Sequence, residues 1–349
     1  MEGKTPEGGH IVSSWNSITK NKDSEAEIHL LHKYEYDSVE GSETRFLSQA
    51  APTIINSAEI APRRSKTVLT ADIPDIHYGF RKIDGILVPT HDPNVMDVSL
   101  QITKKEQPQL IILGGDMIDA PNVGKYEMDS LHFVDTMQLC IDGLYKYFSR
   151  LRADNPNARI VHLVGNHEQR FNKYLLRNAQ PLFGLNRANM PDDYAAISYP
   201  SLLRLNDLEI EYTDSFRIND ELITEHGDLA SGSTAAKYLG RYATSLLFHH
   251  DHRRGYERRV FPDGKAIEAF SFGCEADVSG SVPSYHSKVS EFGKVVERYE
   301  NWHNGMGFVE SDKKVFRPTS VPIERQDGYL AIYDHKTYKP RPEIVEDLA

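Results

Sequence analysis

Cysteine is scarce in this chain of 349 residues, where Cys140 and Cys274 are the only two. A protein of this length does not need a disulfide framework, and two thiolates are too few for a structural zinc site that is built on thiolates. If the protein binds a metal ion, its ligands must therefore come from histidine, aspartate and asparagine side chains.

Long apolar runs are also missing. No stretch reaches the roughly 18 consecutive apolar residues that a membrane-spanning helix requires, so the sequence excludes such a helix. Residues 1–10 contain no apolar stretch behind a basic one, so we expect no secretory signal and a cytoplasmic location.

Positive charge is in deficit, because 40 lysine and arginine residues face 51 aspartate and glutamate residues and the net charge is -11. This balance argues against a generally basic, nucleic-acid-binding surface. A local basic patch or bound cations could still carry such a contact. Hydrophobic residues make up 39% of the chain and charged residues 26%, which is typical of a globular protein with a sizeable core.

The composition divides the chain into two parts. Residues 1–65 are polar and rich in turn residues, and we interpret them as an N-terminal arm that is partly ordered at best. A flexible leader and a partner-binding segment are both open readings of this arm. Residues 66–349 are expected to form one domain, with C-terminal strands and an inserted helical segment near 275–302.

From Lys66 onward, short apolar runs alternate with helical patterns, which indicates an α/β layered fold. The predicted strands are 67–71, 110–113, 159–164, 201–205, 208–213, 220–225, 244–249, 256–261 and 266–272. The predicted helices are 94–105, about 127–153, about 233–242 and about 287–300.

Metal-binding residue types follow five of these strands. In α/β sheets, ligands bind at the carboxyl ends of strands, so these segments are expected to meet at one edge. The residues in question are Asp75 and His77, Asp116 and Asp119, Asn166 and His167, His226, and finally His250 and His252.

The spacing of these residues suits a pair of metal ions. In an extended segment, alternate side chains point the same way. The pair Asp75 and His77 could therefore bind one metal ion, and so could the pair His250 and His252. Carboxylate, imidazole and amide ligands suit manganese, iron, zinc or magnesium. Two ions about 3.5–4 Å apart share a ligand, and Asp116 after the central strand is the natural bridge.

Together the five segments resemble the calcineurin-like metallophosphoesterase superfamily. Its pattern is Asp-x-His, Gly-Asp-x-x-Asp, Gly-Asn-His-Asp/Glu, a lone His, and Gly-His-x-His, and the resemblance spans about residues 67–255. The resemblance implies two packed β-sheets flanked by helices, with metals at the carboxyl-terminal edge of the strands. It also implies hydrolysis of a phosphate ester by in-line attack of a metal-bridging hydroxide.

The resemblance also implies a role for each residue. The implied ligands are Asp75, His77 and His252 for the first metal, Asn166, His226 and His250 for the second, and Asp116 as the bridge. A protonated His167 would lie beside the scissile phosphate, with Asp119 orienting its ring. Manganese is the first expectation for the metal. One position departs from the family, because His249 replaces the expected glycine; it could contact substrate, or the register could differ by one.

The superfamily includes several enzyme classes, and the fold does not choose among them. Protein phosphatases of this group carry Arg-Gly after the second aspartate, whereas Ala120 and Pro121 follow Asp119 here. The run from Glu168 to Arg170 nevertheless matches their Gly-Asn-His-Glu-x-Arg pattern. The segments 74–91 and 302–308 resemble phosphoesterases often found in bacteriophage genomes, which would place the protein in a host cytoplasm.

A phosphodiester is therefore the expected substrate, with a nuclease acting on DNA as the first reading. Arg253 and Arg254 could receive the phosphates of a nucleic acid, although a solvated strand face is the alternative reading of these arginines. A nucleotide or cyclic-nucleotide phosphodiesterase and a protein serine/threonine phosphatase stay open. A non-catalytic scaffold is disfavoured, because all seven ligand positions are filled. We expect no membrane partner.

Overall fold

A computed structural model of the chain describes residues 65–83, 86–120, 123, 136–190, 194–278, 301–325 and 328–349. For residues 9–20, 26–36, 81–83, 86, 136, 288–289 and 295–296 it describes the backbone alone. Among these residues, no helix is both long and apolar enough to cross a membrane.

The described strands lie mostly in two sheets. In chain order they are β1 (Gly9–Lys20), β2 (Ala26–Tyr36), β3 (Val68–Ile73), β4 (Phe80–Ile83), β5 (Ile86–Pro89), β6 (Leu110–Leu113), β7 (Arg159–Leu163), β8 (Ile210–Thr213), β9 (Ser215–Arg217), β10 (Leu222–Glu225), β11 (Ser245–Phe248), β12 (Arg254–Val260), β13 (Ala266–Phe272), β14 (Lys288–Val289), β15 (Val295–Val296), β16 (Gly305–Ser311), β17 (Phe316–Pro322), β18 (Ala331–Tyr333) and β19 (Lys336–Tyr338).

The first five described helices lie between parallel strands of these sheets, and the sixth follows the last strand. They are α1 (Pro93–Glu106), α2 (Thr136–Asp154), α3 (Asn166–Asn178), α4 (Tyr199–Leu202), α5 (Thr234–Arg241) and α6 (Pro342–Leu348), with a 3-10 turn at Gln180–Leu182.

The first sheet has six strands in the order β17-β16-β3-β6-β7-β8. Strands β3, β6, β7 and β8 run parallel, and β16 and β17 extend the sheet as antiparallel strands. The apolar side chains of β6 alternate between its two faces. Ile111 and Leu113 join the core under the helices, whereas Leu110 and Ile112 pack on the opposite side. This sheet is therefore covered on both faces.

The second sheet has five strands in the order β12-β13-β11-β10-β9. Strands β10, β11 and β13 are parallel, and β9 and β12 are antiparallel edges. Its inner face packs on the first sheet, because Leu247 and Phe270 lie in one cluster with Val309 of β16. Its outer face is covered by α5 through Tyr238 and Leu239. The result is a mixed α/β fold with two packed sheets flanked by helices.

Most of the predicted elements are confirmed. Strands and helices lie where apolar runs and helical patterns were expected near β3, α1, β6, β7, β8, β10, α5, β11, β12 and β13. Helix α2 begins at Thr136, and residues 127–135 of the predicted helix lie outside the described residues.

Two predictions were wrong. Residues 201–205 are not a strand, because the Ser198 hydroxyl accepts a hydrogen bond from the Ser201 amide and starts the short helix α4. The helix expected at 287–300 is replaced, at its described residues, by the antiparallel strands β14 and β15, which contain β-branched valines. In addition, β1 and β2 pair with each other in the N-terminal arm, where the polar sequence predicted no strand.

Candidate metal centre

The polar cluster lies at the carboxyl ends of five parallel strands. Strands β3, β6 and β7 of the first sheet and β10 and β11 of the second all end at this edge. Because the two sheets pack face to face, their carboxyl ends meet. The structure thereby brings together side chains that are far apart in the sequence.

One group of ligand-type atoms consists of Asp75, His77 and His252, which could hold a metal ion between them. The Nε2 atoms of His77 and His252 are 3.0 Å apart. The His252 Nε2 is 3.3 Å from Asp75 Oδ1. All three residues are buried, so a cation here would be largely surrounded by protein.

A second group consists of Asp116, His226 and His250. The His226 Nε2 lies 3.2 Å from Asp116 Oδ2 and 3.3 Å from His250 Nδ1. The side chain of His250 keeps 25% of its surface exposed. Asp116 and His226 are buried, so solvent reaches this group from the side of His250.

Asp116 lies between the two groups. Its Oδ1 accepts a hydrogen bond of 2.8 Å from the His167 amide, which leaves Oδ2 facing the imidazoles. That Oδ2 is 3.2 Å from His226 Nε2 and 3.9 Å from His77 Nε2. A carboxylate oxygen in this position could be shared by two cations.

The imidazoles that face Asp116 are oriented by contacts at their far side. The His226 Nδ1 lies 2.9 Å from the carbonyl oxygen of Gly114, and His77 Nδ1 lies 3.6 Å from Asp119 Oδ1. A ring that donates through Nδ1 presents a bare Nε2 to the centre, which is the arrangement of metal-binding histidines. The cluster is thus preorganised for a cation.

The charges within the cluster are strongly coupled. Burial alone would lower the pKa of His226, but the carboxylates of Asp116 and Asp75 raise it to about 10. Burial would raise the pKa of Asp75, yet His252 and His226 hold it below its usual range. A proton on His226 therefore occupies part of the place that a cation would take, and metal binding would release it.

Asn166 provides a direct test of whether these residues fit a metal ion. Its Oδ1 is buried and has no hydrogen-bond partner among the described residues. A buried amide oxygen without a partner costs free energy, and coordination to a bound cation would satisfy it. The donor set of carboxylate, imidazole and amide atoms suits a divalent transition metal.

His167 is held beside the cluster by Asp119. Its Nδ1 is 2.7 Å from the carbonyl oxygen of Asp119 and 3.4 Å from the Asp119 carboxylate, and its Nε2 is 3.8 Å from Asp116 Oδ2. The side chain of Arg170 also approaches, with Nη1 at 3.0 Å from His167 Nδ1. Burial lowers the pKa of His167 to about 3, so burial favours the neutral ring near pH 7 when no phosphate is bound.

The backbone at the cluster is not extended, contrary to the spacing argument for His250 and His252. His77, Asp116, His250 and His252 have φ angles of 52°, 51°, 73° and 55°. The two histidines therefore point to different groups, His250 to Asp116 and His252 to Asp75. The prediction that His250 and His252 grip one centre was wrong, because left-handed turns replace the period-two geometry of a strand.

His249 lies behind the second group rather than in front of it. Its Nε2 is 2.9 Å from Asp72 Oδ1, and its ring stacks on His226 at a centroid distance of 6.5 Å. A Cβ atom on Gly114 would come within 2.3 Å of the His249 ring, so glycine is required there. His249 is buried, and it is therefore a packing and hydrogen-bonding residue, not a substrate contact as the sequence had left open.

Glu168 was missed as a site residue. Its carboxylate accepts hydrogen bonds from the amides of Gly165, Asp116 and Met117 at 2.9, 3.0 and 2.8 Å. It thus ties the start of α3 to the loop that carries Asp116. The signal was present in the Gly-Asn-His-Glu run, but the sequence did not indicate which amides this glutamate binds.

Trp302 was also missed as a neighbour of the centre. Its ring centroid is 3.9 Å from that of His252, nearly perpendicular, and 6.5 Å from that of His77. The residue is half-buried. More than forty positions separate Trp302 from His252, and no spacing rule connects them.

The two arginines expected to contact substrate have different surroundings. The Arg254 Nη2 is 3.2 Å from Glu324 Oε1, so this guanidinium already has a carboxylate partner. Arg253 has a weaker contact, with Nη1 at 3.4 Å from the carbonyl oxygen of Gly232. The Nε atoms of both arginines are buried and have no partner among the described residues, so the carboxylate of Glu324 is what distinguishes them. Arg253 is the better placed of the two to receive an anion.

Comparison with known proteins gives little further guidance. No family model matches the chain, and no curated protein matches it. Among solved structures, the NAD nucleotidase NadN of Haemophilus influenzae aligns at 13% sequence identity with a TM-score of 0.34. The alignment covers 81% of this chain and 61% of that one. At this level of similarity the neighbour carries no argument about function.

Proposed function

We propose that the chain is a two-metal phosphoesterase of the calcineurin-like type that hydrolyses a phosphodiester. The observation that carries the proposal is the position of Asp116, whose Oδ2 faces imidazoles of both ligand groups. Residues that served stability alone would not need to bury so many titratable groups around one carboxylate.

In this proposal, seven residues of the chain bind the two metal ions. Asp75, His77 and His252 would hold one divalent ion, and Asn166, His226 and His250 would hold the other, with Asp116 shared. Such ions, when bound, polarise phosphoryl oxygens and lower the pKa of water. Manganese is the first candidate, with iron, zinc and magnesium as alternatives.

His167 would contact the scissile phosphate through Nε2, because its Nδ1 is engaged by Asp119. Burial keeps its ring neutral, but a phosphate anion beside Nε2 would favour the protonated form. The ring could then donate to a phosphoryl or leaving oxygen. Asp119 is proposed as the residue that fixes the orientation of this ring.

Two features support a diester of a nucleotide or nucleic acid over a phosphoprotein. The Arg-Gly dipeptide of the protein phosphatases is absent after Asp119, where Ala120 and Pro121 follow. Trp302 places a half-buried aromatic ring beside His252, and such a ring can stack on a nucleobase. Nearby Arg253 could receive a phosphate oxygen.

A metal-reconstitution assay tests the proposal. Protein treated with chelator should lose hydrolysis of bis-p-nitrophenyl phosphate and regain it with manganese, and Asp116→Asn should prevent the recovery. Elemental analysis should find up to two metal ions in protein purified without chelator. A panel that adds p-nitrophenyl phosphate, cyclic nucleotides, DNA and a phosphopeptide then ranks substrates. No bound metal, together with no activation by manganese, would refute the proposal.

A further inference from the structure

Helix α3 begins at the metal centre and leads away from it along an unusually basic segment. Between Glu168 and Asp192 the sequence contains no acidic residue, although 51 of the 349 residues are acidic. The same stretch contains four basic residues, which are Arg170, Lys173, Arg177 and Arg187. Because the protein as a whole is acidic, this basic patch does not follow from overall composition. Such a patch can attract a polyanion to one part of the surface.

The basic side chains of α3 form one stripe. Residues three and four apart share a helix face, so Arg170, Lys173, Tyr174 and Arg177 lie along one side. Arg170 is at the inner end of the stripe, 3.0 Å from the His167 ring. Lys173 and Arg177 are exposed. The stripe therefore runs from the candidate catalytic histidine outward into solvent.

The outer cations of this segment have no acidic partner in the part of the chain that the structure describes. Among the described residues, no carboxylate lies within ion-pair distance of Lys173, Arg177 or Arg187. Several other arginines on the surface are paired with carboxylates, as in the pairs Arg159–Glu211, Arg204–Asp207, Arg241–Asp228, Arg254–Glu324 and Arg341–Asp97. Exposed cations without a carboxylate partner are available to bind an anion.

Large apolar side chains are exposed in the same segment. Tyr174 is 43% exposed and Phe183 is 44% exposed. Further exposed apolar residues of the segment are Leu176, Leu182, Leu185 and Met190. Half of the exposed large hydrophobic residues of the described chain thus fall between positions 174 and 190. Aromatic rings interleaved with cations are the arrangement with which proteins bind unpaired bases and their phosphates.

We infer that residues 169–190, here named the α3 surface, bind single-stranded nucleic acid and lead it to the metal centre. The inference rests on the proposed phosphodiesterase function and names its substrate class. A single strand is favoured over a duplex, because a duplex hides the base faces that Tyr174 and Phe183 would stack on. The continuity of the stripe with His167 favours a polymeric substrate over a membrane surface.

Binding of a fluorescein-labelled oligothymidylate, measured by anisotropy in EDTA over a range of salt concentrations, tests the inference. The triple variant Lys173→Ala, Arg177→Ala, Arg187→Ala should bind at least about tenfold more weakly, and its salt slope should fall by about 2, since each single-strand phosphate contact contributes about 0.7. Tyr174→Ala with Phe183→Ala should weaken binding while leaving the salt slope unchanged.

A charge-matched control removes one lysine and two arginines elsewhere, with Lys314→Ala, Arg217→Ala and Arg317→Ala, which are all exposed in the wild type. This variant should bind like wild type, and equal weakening in both triple variants would overturn the inference. Binding to phosphatidylglycerol vesicles without oligonucleotide binding would also overturn it, in favour of a membrane surface.

Hydrolysis of bis-p-nitrophenyl phosphate with manganese separates this inference from the proposed function. The α3 variants should retain that activity, because the small diester needs only the centre. Hydrolysis without oligonucleotide binding would refute the α3 surface and leave the phosphoesterase standing. Oligonucleotide binding that depends on the α3 surface, without hydrolysis of any ester, would support the surface and refute the enzyme.

Discussion

His249 Nε2 and Asp72 Oδ1 are 2.9 Å apart in the interior, and both side chains are completely buried. Burial alone would lower the pKa of His249, but the Asp72 carboxylate raises it. The pair joins β11 of one sheet to β3 of the other directly behind the His226 ring. It therefore fixes the two sheets relative to each other where their ligands meet.

The coupling free energy between His249 and Asp72, measured by a double-mutant cycle of unfolding, should be large. Removing one partner of a buried ion pair leaves an uncompensated charge and costs about 3–5 kcal/mol. We expect His249→Ala and Asp72→Ala each to destabilise the protein strongly, and the double variant to lose much less than the sum. Urea unfolding measures this cycle. The exposed pair Arg204–Asp207 is the control, with an expected coupling below about 1 kcal/mol. Additive losses at positions 72 and 249 would contradict the prediction.

Asn166 and His167 are neighbours in the sequence, but their replacement by alanine should affect metal content differently. Asn166→Ala should weaken one metal position and lower activity together, because Asn166 is a proposed ligand whose buried Oδ1 has no hydrogen-bond partner among the described residues. His167→Ala should keep both metals while activity falls by about 10²–10⁴. Metal content and turnover measured on the same preparations distinguish the two. Metal loss in the His167 variant would show that this residue is a ligand.

Glu275 should make stability depend on pH. This carboxyl is fully buried, and burial raises its pKa from 4.5 to about 8, with Asp72 and Asp92 adding to the effect. The folded protein therefore holds a proton that the unfolded chain releases above about pH 4.5. Between those pKa values the contribution of Glu275 to stability falls as pH rises, by at most about 1.4 kcal/mol per pH unit.

Glu275→Gln mimics the protonated carboxyl and removes this dependence. In thermal unfolding, the melting temperature of the variant should rise relative to that of the wild type as pH rises from 5 to 8. Near pH 4.5 the two proteins should be similar. A difference in melting temperature that does not change with pH would mean that Glu275 is ionised in the folded protein.

Arg253 and Arg254 should contribute unequally to a nucleic-acid substrate. Arg253→Ala should raise the Michaelis constant for a DNA oligonucleotide and leave hydrolysis of bis-p-nitrophenyl phosphate nearly unchanged. Arg254→Ala should have a smaller effect, because Glu324 already engages its guanidinium. Kinetics with the two substrates at several salt concentrations measure this. If each variant impaired both substrates equally, the arginines would support the site structurally.

The sequence was informative wherever one local signal was sufficient. An apolar run as short as Leu110–Leu113, followed by two glycines, favours a buried strand over a helix, and the polar residues after it mark the carboxyl end of that strand. The same local reading failed at residues 201–205, where a hydroxyl cap at Ser198 outweighed an apolar run. A cap is worth about 1 kcal/mol, which is enough to decide a short segment.

The arrangement of the cluster could be predicted only in part. The positions of the strand ends predicted that aspartate, asparagine and histidine side chains would lie close together. The pairing of each histidine with a carboxylate depends on backbone turns at His250 and His252, which the sequence does not reveal. The contact of Trp302 with His252 and the pairing of His249 with Asp72 join distant segments. Such contacts depend on how the sheets pack, and no local pattern encodes them.

The left-handed backbone conformation of residues at the centre affects which substitutions would stabilise the protein. A residue with a Cβ atom held in this conformation costs about 1–2 kcal/mol, whereas glycine adopts it freely. His77, Asp116, His250 and His252 all lie there. Replacing His250 by glycine would thus relieve the backbone while it deletes a ligand. Selection for thermal tolerance alone would erode this centre, so a directed-evolution screen on the protein must score metal retention beside melting temperature.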